Sequence, residues 1–242
     1  MNTKIINKES KSIFRKFSDE ENAVWKILCE KRFKGFKDLA FPLHKKGWDL
    51  LEMSVDKIPD FADLNKKLKK LTGWQVASTG VQYEEDDAWL SSLSKKTIRV
   101  TEYIRERKNL DYTPLPDVFH DAFAHLPLLA IPEYAKIAHK FGLAYVKAKT
   151  KEDKKKIAEN WWYGIEFGLI KEDGKLKAFG TGLISSESEL INALSEKVEK
   201  IPHNWETIGE IDRSAHELHK KLFVLENMQQ LENAVDHCLQ KD

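Results

Sequence analysis

Apolar residues recur three or four positions apart over most of the chain, and this spacing predicts a mainly helical protein. Two predicted helices open with a capping box, at residues 18–21 and 186–189, where a serine and a glutamate satisfy each other's backbone amides. The predicted helices cover residues 18–28, 36–51, 61–71, 88–93, 132–149, 157–167, 186–198 and 228–239, and Pro202 is expected to end the seventh.

Strand signals are weak, because alternation between apolar and polar residues never extends far. Short strands are predicted at residues 98–104, 167–170, 176–179 and 222–225, with a turn at 171–174. Residues 74–87 read as turns and loops, and the charged run 151–156 as a solvated connection or a helix start. The expected fold class is therefore mainly α with small β pieces (α+β).

The 242 residues carry 40 Lys+Arg and 39 Asp+Glu, so no net field favours nucleic acid or an anionic membrane. Small neutral or zwitterionic ligands fit this balance better. Two cysteines cannot form a disulfide framework, the polar N-terminus lacks a signal-peptide core, and no apolar run spans a bilayer. These features predict a soluble cytoplasmic protein, with a flexible tail at residues 1–17 and one domain over 18–242.

The chemistry concentrates in residues 115–129, LPDVFHDAFAHLPLL, where His120 and His125 interrupt an apolar run. Five residues of ideal α-helix advance about 7.5 Å and 140°, so the two imidazoles converge only if the turn is irregular. The spacing alone is a weak signal, and two unrelated, partly buried histidines explain it equally well. Glu166 strengthens it, because a carboxylate beside an apolar helical stripe is costly to desolvate unless paired, protonated or metal-bound.

Two histidines and one carboxylate are the donors of a non-heme Fe(II) facial triad, which leaves coordination positions open for oxygen and substrate. Zinc with the same three ligands is the competing interpretation. A zinc hydrolase with Asp121 as its base and a metal-binding protein without catalysis therefore both stay open.

Three blocks then carry a resemblance to a known family: LDYTPLPDVFHDAFAHLPLL, WWYGIEFGLI and FGTGLISS. In this order and spacing they resemble the pterin-dependent aromatic amino acid hydroxylases, and within that family the short bacterial phenylalanine 4-hydroxylases. The blocks VTEYIR and GWQV extend the likeness over roughly residues 18–230. The resemblance implies a single catalytic domain, built as a helical basket around a mononuclear iron site.

The resemblance also implies a role for each matching residue. His120, His125 and Glu166 would bind iron, and Asp121 would be an acid near the pterin and an iron-bound water. Arg105 would pair with the substrate carboxylate, a task that suits a guanidinium fork. The substrate pocket would further include Thr113, Trp162, Phe167, Gly182 and Ser185, and the pterin site Trp89, Gly80, Ala158 and Trp161.

Plainer interpretations stand beside these roles. Asp121 is otherwise a solvated acid at a helix start, Arg105 a surface arginine, and Trp89 an exposed ring that closes the core. Trp162 and Phe167 are equally acceptable as core residues.

The sequence departs from the family pattern at three positions near the site. Ala124 replaces a glycine before the second histidine, Leu115 replaces a glutamate, and Trp161 replaces a tyrosine. None of these changes removes a proposed ligand, so they bear on pocket shape and substrate choice rather than on the chemistry.

The activity implied by the resemblance is ring hydroxylation of a free aromatic amino acid, first of all L-phenylalanine to L-tyrosine. The implied cofactors are Fe(II) and tetrahydrobiopterin or a related tetrahydropterin, which together activate O2. A tryptophan or broad-specificity hydroxylase is the alternative within the family. Without sustained heptads or a regulatory domain, the chain is expected to be a monomer.

Overall fold

The structure is a computed structural model that describes residues 14–35, 38–80, 85–111, 113, 115–208 and 218–240. Helices dominate it, in agreement with the predicted fold class. They are α1 (Asp19–Gly35), α2 (Leu43–Leu50), α3 (Phe61–Leu71), α4 (Asp86–Leu93), α5 (Leu126–Leu129), α6 (Pro132–Lys147), α7 (Lys151–Trp161), α8 (Thr181–Ser185), α9 (Glu187–Leu194) and α10 (Met228–Gln240). A short 3₁₀ turn covers Arg107–Asn109. None of these helices is long and apolar enough to cross a membrane.

Two stretches are π-helical, with hydrogen bonds from residue i to i+5 instead of i+4. The first, Phe119–His125, leads directly into α5. The second, Trp162–Glu166, continues α7 to its end, where the Phe167 amide donates to the Trp162 carbonyl at 2.8 Å. Both stretches carry candidate ligands, and π turns inside helices are frequent at functional sites.

The strands form two small sheets. In the first, β1 (Gln75–Ser78) and β2 (Thr97–Val100) pair in parallel. The second has the order β4-β3-β6-β5. Its strands are β3 (Leu169–Glu172), β4 (Lys175–Ala178), β5 (Glu199–Pro202) and β6 (Lys221–Leu225); β3 and β4 are antiparallel, and β6 is parallel to both β3 and β5.

Of the two predicted capping boxes, the one at Ser18 is complete, and the one at Ser186 has only its serine half among the described hydrogen bonds. Ser18 and Glu21 form the capping box of α1, with the Ser18 amide 2.8 Å from Glu21 Oε2 and the Glu21 amide 3.3 Å from Ser18 Oγ. Asp60 caps α3 by accepting from two backbone amides, and Ser186 caps α9 by accepting from the amide of Glu189.

The core forms around the buried chain from Val118 to Ile131, in which only His120 is partly exposed. α2 crosses α5 at Gly47, where a Cβ would lie 1.7 Å from the Pro127 carbonyl oxygen. Only glycine permits this approach, which places two backbones in contact two residues beyond His125. Near the N-terminus, the rings of Phe14 and Phe17 contact Phe61 on α3.

The structure corrects several predicted boundaries. α2 begins at Leu43, later than predicted, and α7 begins at Lys151, so the charged run is the first turns of that helix. Residues 75–78 form β1 instead of a loop, and β2 ends at Val100, before Tyr103 and Ile104. α9 ends at Leu194, before the predicted end at Val198. Val198 directly precedes β5, and Pro202 is the last residue of β5.

These errors share a cause. Four-residue strands carry too little alternation to be recognised, and β1 and β5 exist because they pair with strands about twenty residues away in the sequence. Pro202 is tolerated because β5 is an edge strand. Parts of the predicted tail, of the second helix and of two loops lie outside the described residues, at positions 1–13, 36–37, 81–84, 112 and 114.

Candidate metal centre

The π-helical turn resolves the spacing of the two histidines. In an α-helix a fifth residue is rotated well away from the first, but in a π-helix residues i and i+5 lie one above the other. His120 and His125 accordingly face each other, with their Nε2 atoms 3.2 Å apart. The irregular turn that the metal hypothesis requires is therefore present.

Glu166 completes the group from the end of the second π-helical stretch. Its Oε1 lies 3.3 Å from His125 Nε2, and its Oε2 lies 3.6 Å from His120 Nε2. The potential ligand atoms of these residues all lie within 4.8 Å of one another, and no other trio of His, Cys, Asp or Glu in the described residues does this.

These separations fit a shared metal ion. Ligands about 2.1 Å from one metal are separated by about 3.0 Å in octahedral and about 3.4 Å in tetrahedral geometry. The donors that converge here are two imidazole Nε2 atoms and one carboxylate. This is the donor set of a facial triad. His120 has the most exposed of the three side chains, at 17%, so the group opens toward solvent on its side.

The charge states also suit a metal. Burial lowers the pKa of His120 to about 4, which keeps this imidazole neutral and its lone pair free at neutral pH. Burial opposes ionisation of Glu166, but the two imidazoles outweigh it and hold the carboxyl pKa at about 2. Burial also opposes charge on His125, yet the adjacent Glu166 raises its pKa. A neutral imidazole and an ionised carboxylate are the forms that bind metals.

Hydrogen bonds fix each donor in place. With Nε2 of His120 facing the centre, Nδ1 donates to Ser185 Oγ at 2.9 Å, which sets the tautomer and the ring orientation. Glu166 accepts from the Trp161 indole at 2.8 Å on Oε1 and from the Thr181 hydroxyl at 2.5 Å on Oε2. Each carboxylate oxygen thus has one protein donor.

Asp121 lies one residue beyond His120 and is buried. Its Oδ2 accepts from the Thr101 amide at 2.8 Å and from the Thr101 hydroxyl at 2.9 Å. Burial raises the pKa of Asp121 to about 7 even though both hydrogen bonds favour the charged form. The solvated acid that the sequence left open is therefore not what the structure contains.

Arg105 is buried as well, and is not a surface arginine. Its Nε and Nη2 donate to the two oxygens of Asp117 at 2.8 and 2.9 Å, and its backbone amide donates to Oδ2 at 2.9 Å. Asp117 Oδ1 also accepts from the backbone amide of His120 at 3.1 Å. One carboxylate therefore ties the predicted substrate arginine to the first residue of the metal group.

Aromatic side chains line the neighbourhood of Glu166. The Trp162 and Phe167 rings are half-buried with centroids 4.7 Å apart, and a Cβ on Gly182 would lie 2.7 Å from Phe167. The ring of His219 lies 4.2 Å from that of Phe167. Trp162, Phe167 and Gly182 thus form one contiguous group, in which glycine makes room for a ring.

The predicted pterin residues divide into two sets. The Trp89 ring, half-buried, lies 5.7 Å from the His125 ring and 5.0 Å from Trp161. Ala158 is buried one helical turn before Trp161. Gly80 lies past the end of β1 with φ +68°, and no contact among the described residues joins it to the metal group. Thr113, predicted for the substrate pocket, donates to the Leu115 carbonyl at 3.0 Å and also hydrogen-bonds the Tyr103 side chain.

Sequence reasoning assigned no role to three residues that hold this site together. These are Asp117, Thr181 and Thr101, which anchor Arg105, Glu166 and Asp121 respectively. Asp117 and Thr181 stand inside the blocks that carry the family resemblance, so their motif position was an available signal. Thr101 stands in the block VTEYIR, which extends the likeness, so it had the same signal, but its contact with Asp121, twenty residues away, is visible only in the structure.

Comparison with known proteins finds similar sequences and similar structures. The phenylalanine-4-hydroxylase of Mesorhizobium japonicum is 34% identical over 220 residues, covering 90% of this chain and 79% of the relative. Tyrosine 3-monooxygenase of Caenorhabditis briggsae is 33% identical over 187 residues, 76% of this chain and 36% of the relative.

Solved structures of the phenylalanine hydroxylase of Chromobacterium violaceum are similar in fold. One, with bound iron(III) and 7,8-dihydrobiopterin, matches with a TM-score of 0.87 at 33% identity and covers 93% of this chain and 82% of that one. The family model described as biopterin-dependent aromatic amino acid hydroxylase matches residues 5–241. The chain therefore belongs to the biopterin-dependent aromatic amino acid hydroxylase family.

Proposed function

We propose that this protein hydroxylates the ring of free L-phenylalanine to give L-tyrosine, using O2, Fe(II) and a tetrahydropterin. The observation that carries the proposal is the convergence of His120, His125 and Glu166 in a chain of this family. The phenylalanine hydroxylases of two bacteria, similar over most of their length, support phenylalanine as the substrate.

His120, His125 and Glu166 would hold the iron. Iron(II) and the reduced pterin supply the activation of dioxygen when bound. The protein's part is to present two imidazole nitrogens and a carboxylate from one side, which leaves the remaining coordination positions open. The donor distances alone also suit zinc, and family membership is what favours iron.

Arg105 would orient the amino acid by its carboxylate. Asp117 occupies Nε and Nη2 and fixes the guanidinium plane, and the Nη1 end has no hydrogen bond to the described residues. A guanidinium held in this way is preorganised for a second carboxylate. Thr113, on the loop between Arg105 and Asp117, would also contact the substrate.

The ring of the substrate would lie against Trp162 and Phe167, with Gly182 giving the space and Ser185 fixing His120 beside it. Apolar rings exclude water from the reacting carbon and orient a flat substrate by stacking. An added methyl at Gly182 would collide with Phe167, so glycine here allows the ring to keep its place.

The pterin would stack on Trp89, whose ring is half-buried beside His125 and Trp161. Ala158 on α7 and the backbone around Gly80 would complete the pterin site. Asp121, next to His120, would act as the acid that holds a hydrogen-bonded water near the metal. The amide and hydroxyl of Thr101 fix the position of the Asp121 carboxylate by donating to its Oδ2.

The decisive assay measures tyrosine formation from phenylalanine with added Fe(II) and a reduced pterin, and with each omitted in turn. Tyrosine and tryptophan serve as alternative substrates in parallel, so the same assay identifies a broad-specificity or tryptophan enzyme. Turnover that needs both additions is expected. Turnover of an ester or amide with Zn(II), without pterin, would establish the zinc hydrolase instead, and metal binding with no turnover a binding protein.

Glu166→Ala and His125→Ala test the ligand assignment directly. Each variant is expected to lose stoichiometric iron and turnover together, because two protein ligands hold a divalent metal far less tightly than three. Iron content by elemental analysis and activity are measured on the same preparation. A variant that kept both would show that its residue is not a ligand.

We further propose that residues 18–242 form one catalytic domain that acts as a monomer in the cytoplasm. Support comes from the continuous apolar core of the described residues and from Cys29 and Cys238, which form no disulfide there. α10 packs on α6 of its own chain, where Lys140 bonds both Glu232 and Asp236 at 2.6 Å. Sedimentation velocity showing a stable tetramer would refute the monomer.

A further inference from the structure

The carboxylate of Glu166 is held by two buried donors from different elements. The indole N–H of Trp161, at the end of α7, lies 2.8 Å from Oε1, and the hydroxyl of Thr181, at the start of α8, lies 2.5 Å from Oε2. Both donors are buried, so water does not compete for these bonds. Ionised acceptors make the stronger kind of hydrogen bond.

The π-helical turn creates the first of these contacts. Trp161 and Glu166 are five residues apart, the same spacing as His120 and His125, and a π turn places such residues above one another. In a continuous α-helix they would point about 140° apart. One local distortion thus positions both the carboxylate and its donor.

The indole is itself fixed. Its ring packs edge-on against Trp89 at 5.0 Å and against Phe141 at 5.5 Å, and it lies nearly parallel to the His125 ring at 6.4 Å. Rotation of Trp161 would break all three contacts.

We propose that Trp161 and Thr181 are positioning residues that set the plane of the Glu166 carboxylate and thereby the affinity of the metal centre. Each donor takes one lone pair of a different oxygen, so the carboxylate cannot turn and each oxygen keeps one lone pair toward the histidines. The inference rests on the proposed function only in taking Glu166 as a ligand. Loss of a partner of this kind typically weakens metal affinity by about 10–100-fold.

Trp161→Phe tests the proposal, with Trp205→Phe as the matched control. Trp205 also packs on Phe141, at 5.8 Å, so the control removes an indole from the same core without touching Glu166. Apoprotein is titrated with Co(II) against a competing chelator, and the visible spectrum of bound Co(II) reports its coordination. We expect about 10–100-fold weaker Co(II) binding and an altered spectrum for Trp161→Phe, and less than about twofold change for Trp205→Phe.

Thr181 gives a second, independent arm. Thr181→Val keeps the shape and removes the hydroxyl, whereas Thr181→Ser keeps the hydroxyl. We expect Thr181→Val to bind Co(II) more weakly and Thr181→Ser to bind it as the wild type does. This comparison keeps the proposal testable if Trp161→Phe does not fold.

Two results would overturn the proposal: Co(II) affinity and spectrum unchanged in Trp161→Phe and Thr181→Val, or equal losses in Trp161→Phe and Trp205→Phe. A wild-type protein that binds no Co(II) would instead refute the ligand assignment of Glu166. Tight Co(II) binding without phenylalanine turnover would refute the proposed function alone.

Discussion

Gly47→Ala is expected to damage stability and metal binding together. The new Cβ would lie 1.7 Å from the carbonyl oxygen of Pro127 and 2.4 Å from its carbonyl carbon. Atoms in contact are about 3.5 Å apart, so α2 and α5 must separate by between about 1.5 and 2 Å. Backbone on both sides leaves no flexible side chain that can move aside.

The cost follows from this displacement. Overpacking typically costs 1–3 kcal/mol, and a backbone collision belongs at the upper end, about 3 kcal/mol. In a chain of this size about 3 kcal/mol lowers the melting temperature by about 6–12 °C. Because Pro127 is two residues beyond His125, the same movement displaces a proposed ligand, and Co(II) binding by the folded variant should weaken as well.

Thermal unfolding of the apoprotein, followed by circular dichroism, checks the first part. Gly35→Ala is the control, since its Cβ would meet only Glu187 Oε1 at 3.8 Å, an ordinary contact at the end of α1. The control should melt at or slightly above the wild-type temperature, because alanine is the better helix former. A Gly47→Ala protein that melts within about 2 °C of wild type would refute the collision argument.

Three other side chains give expectations that unfolding and kinetic measurements check. Arg105→Ala leaves Asp117 buried and unpaired, so we expect a loss of about 3–5 kcal/mol in unfolding free energy besides a raised KM; if neither changes, both roles are wrong. Burial lowers the pKa of His44 from 6.5 to about 4, so its stabilisation is complete above pH 6.5 and is lost as pH falls toward 4. The shift is worth about 3 kcal/mol, and His44→Gln should flatten the pH dependence over that window by this amount; parallel curves would contradict it. Asp60→Ala removes the cap of α3 and should cost about 1 kcal/mol, measured by urea unfolding; an unchanged midpoint would show the cap to be idle.

Long helices were predictable because their signals are local. These signals act within a few residues of the chain: the N-cap serines Ser18 and Ser186, the N-cap Asp60, and the apolar stripes of α3, α6 and α10. β1 and β5 were missed because a four-residue strand is stabilised by its partner, which lies elsewhere in the sequence. Local periodicity contains no information about that partner.

By itself the sequence determined the chemical inventory of the site: two histidines in an apolar run, a glutamate on an apolar helix and the motif blocks that name the family. Only the tertiary structure decided how these groups meet. The π-helical turns that bring His120 and His125 to 3.2 Å, and Trp161 onto Glu166, are invisible to a periodicity of 3.6 residues. A helix accepts such a turn when packing and buried hydrogen bonds, here made by Asp117, Thr181 and Ser185, outweigh its local cost.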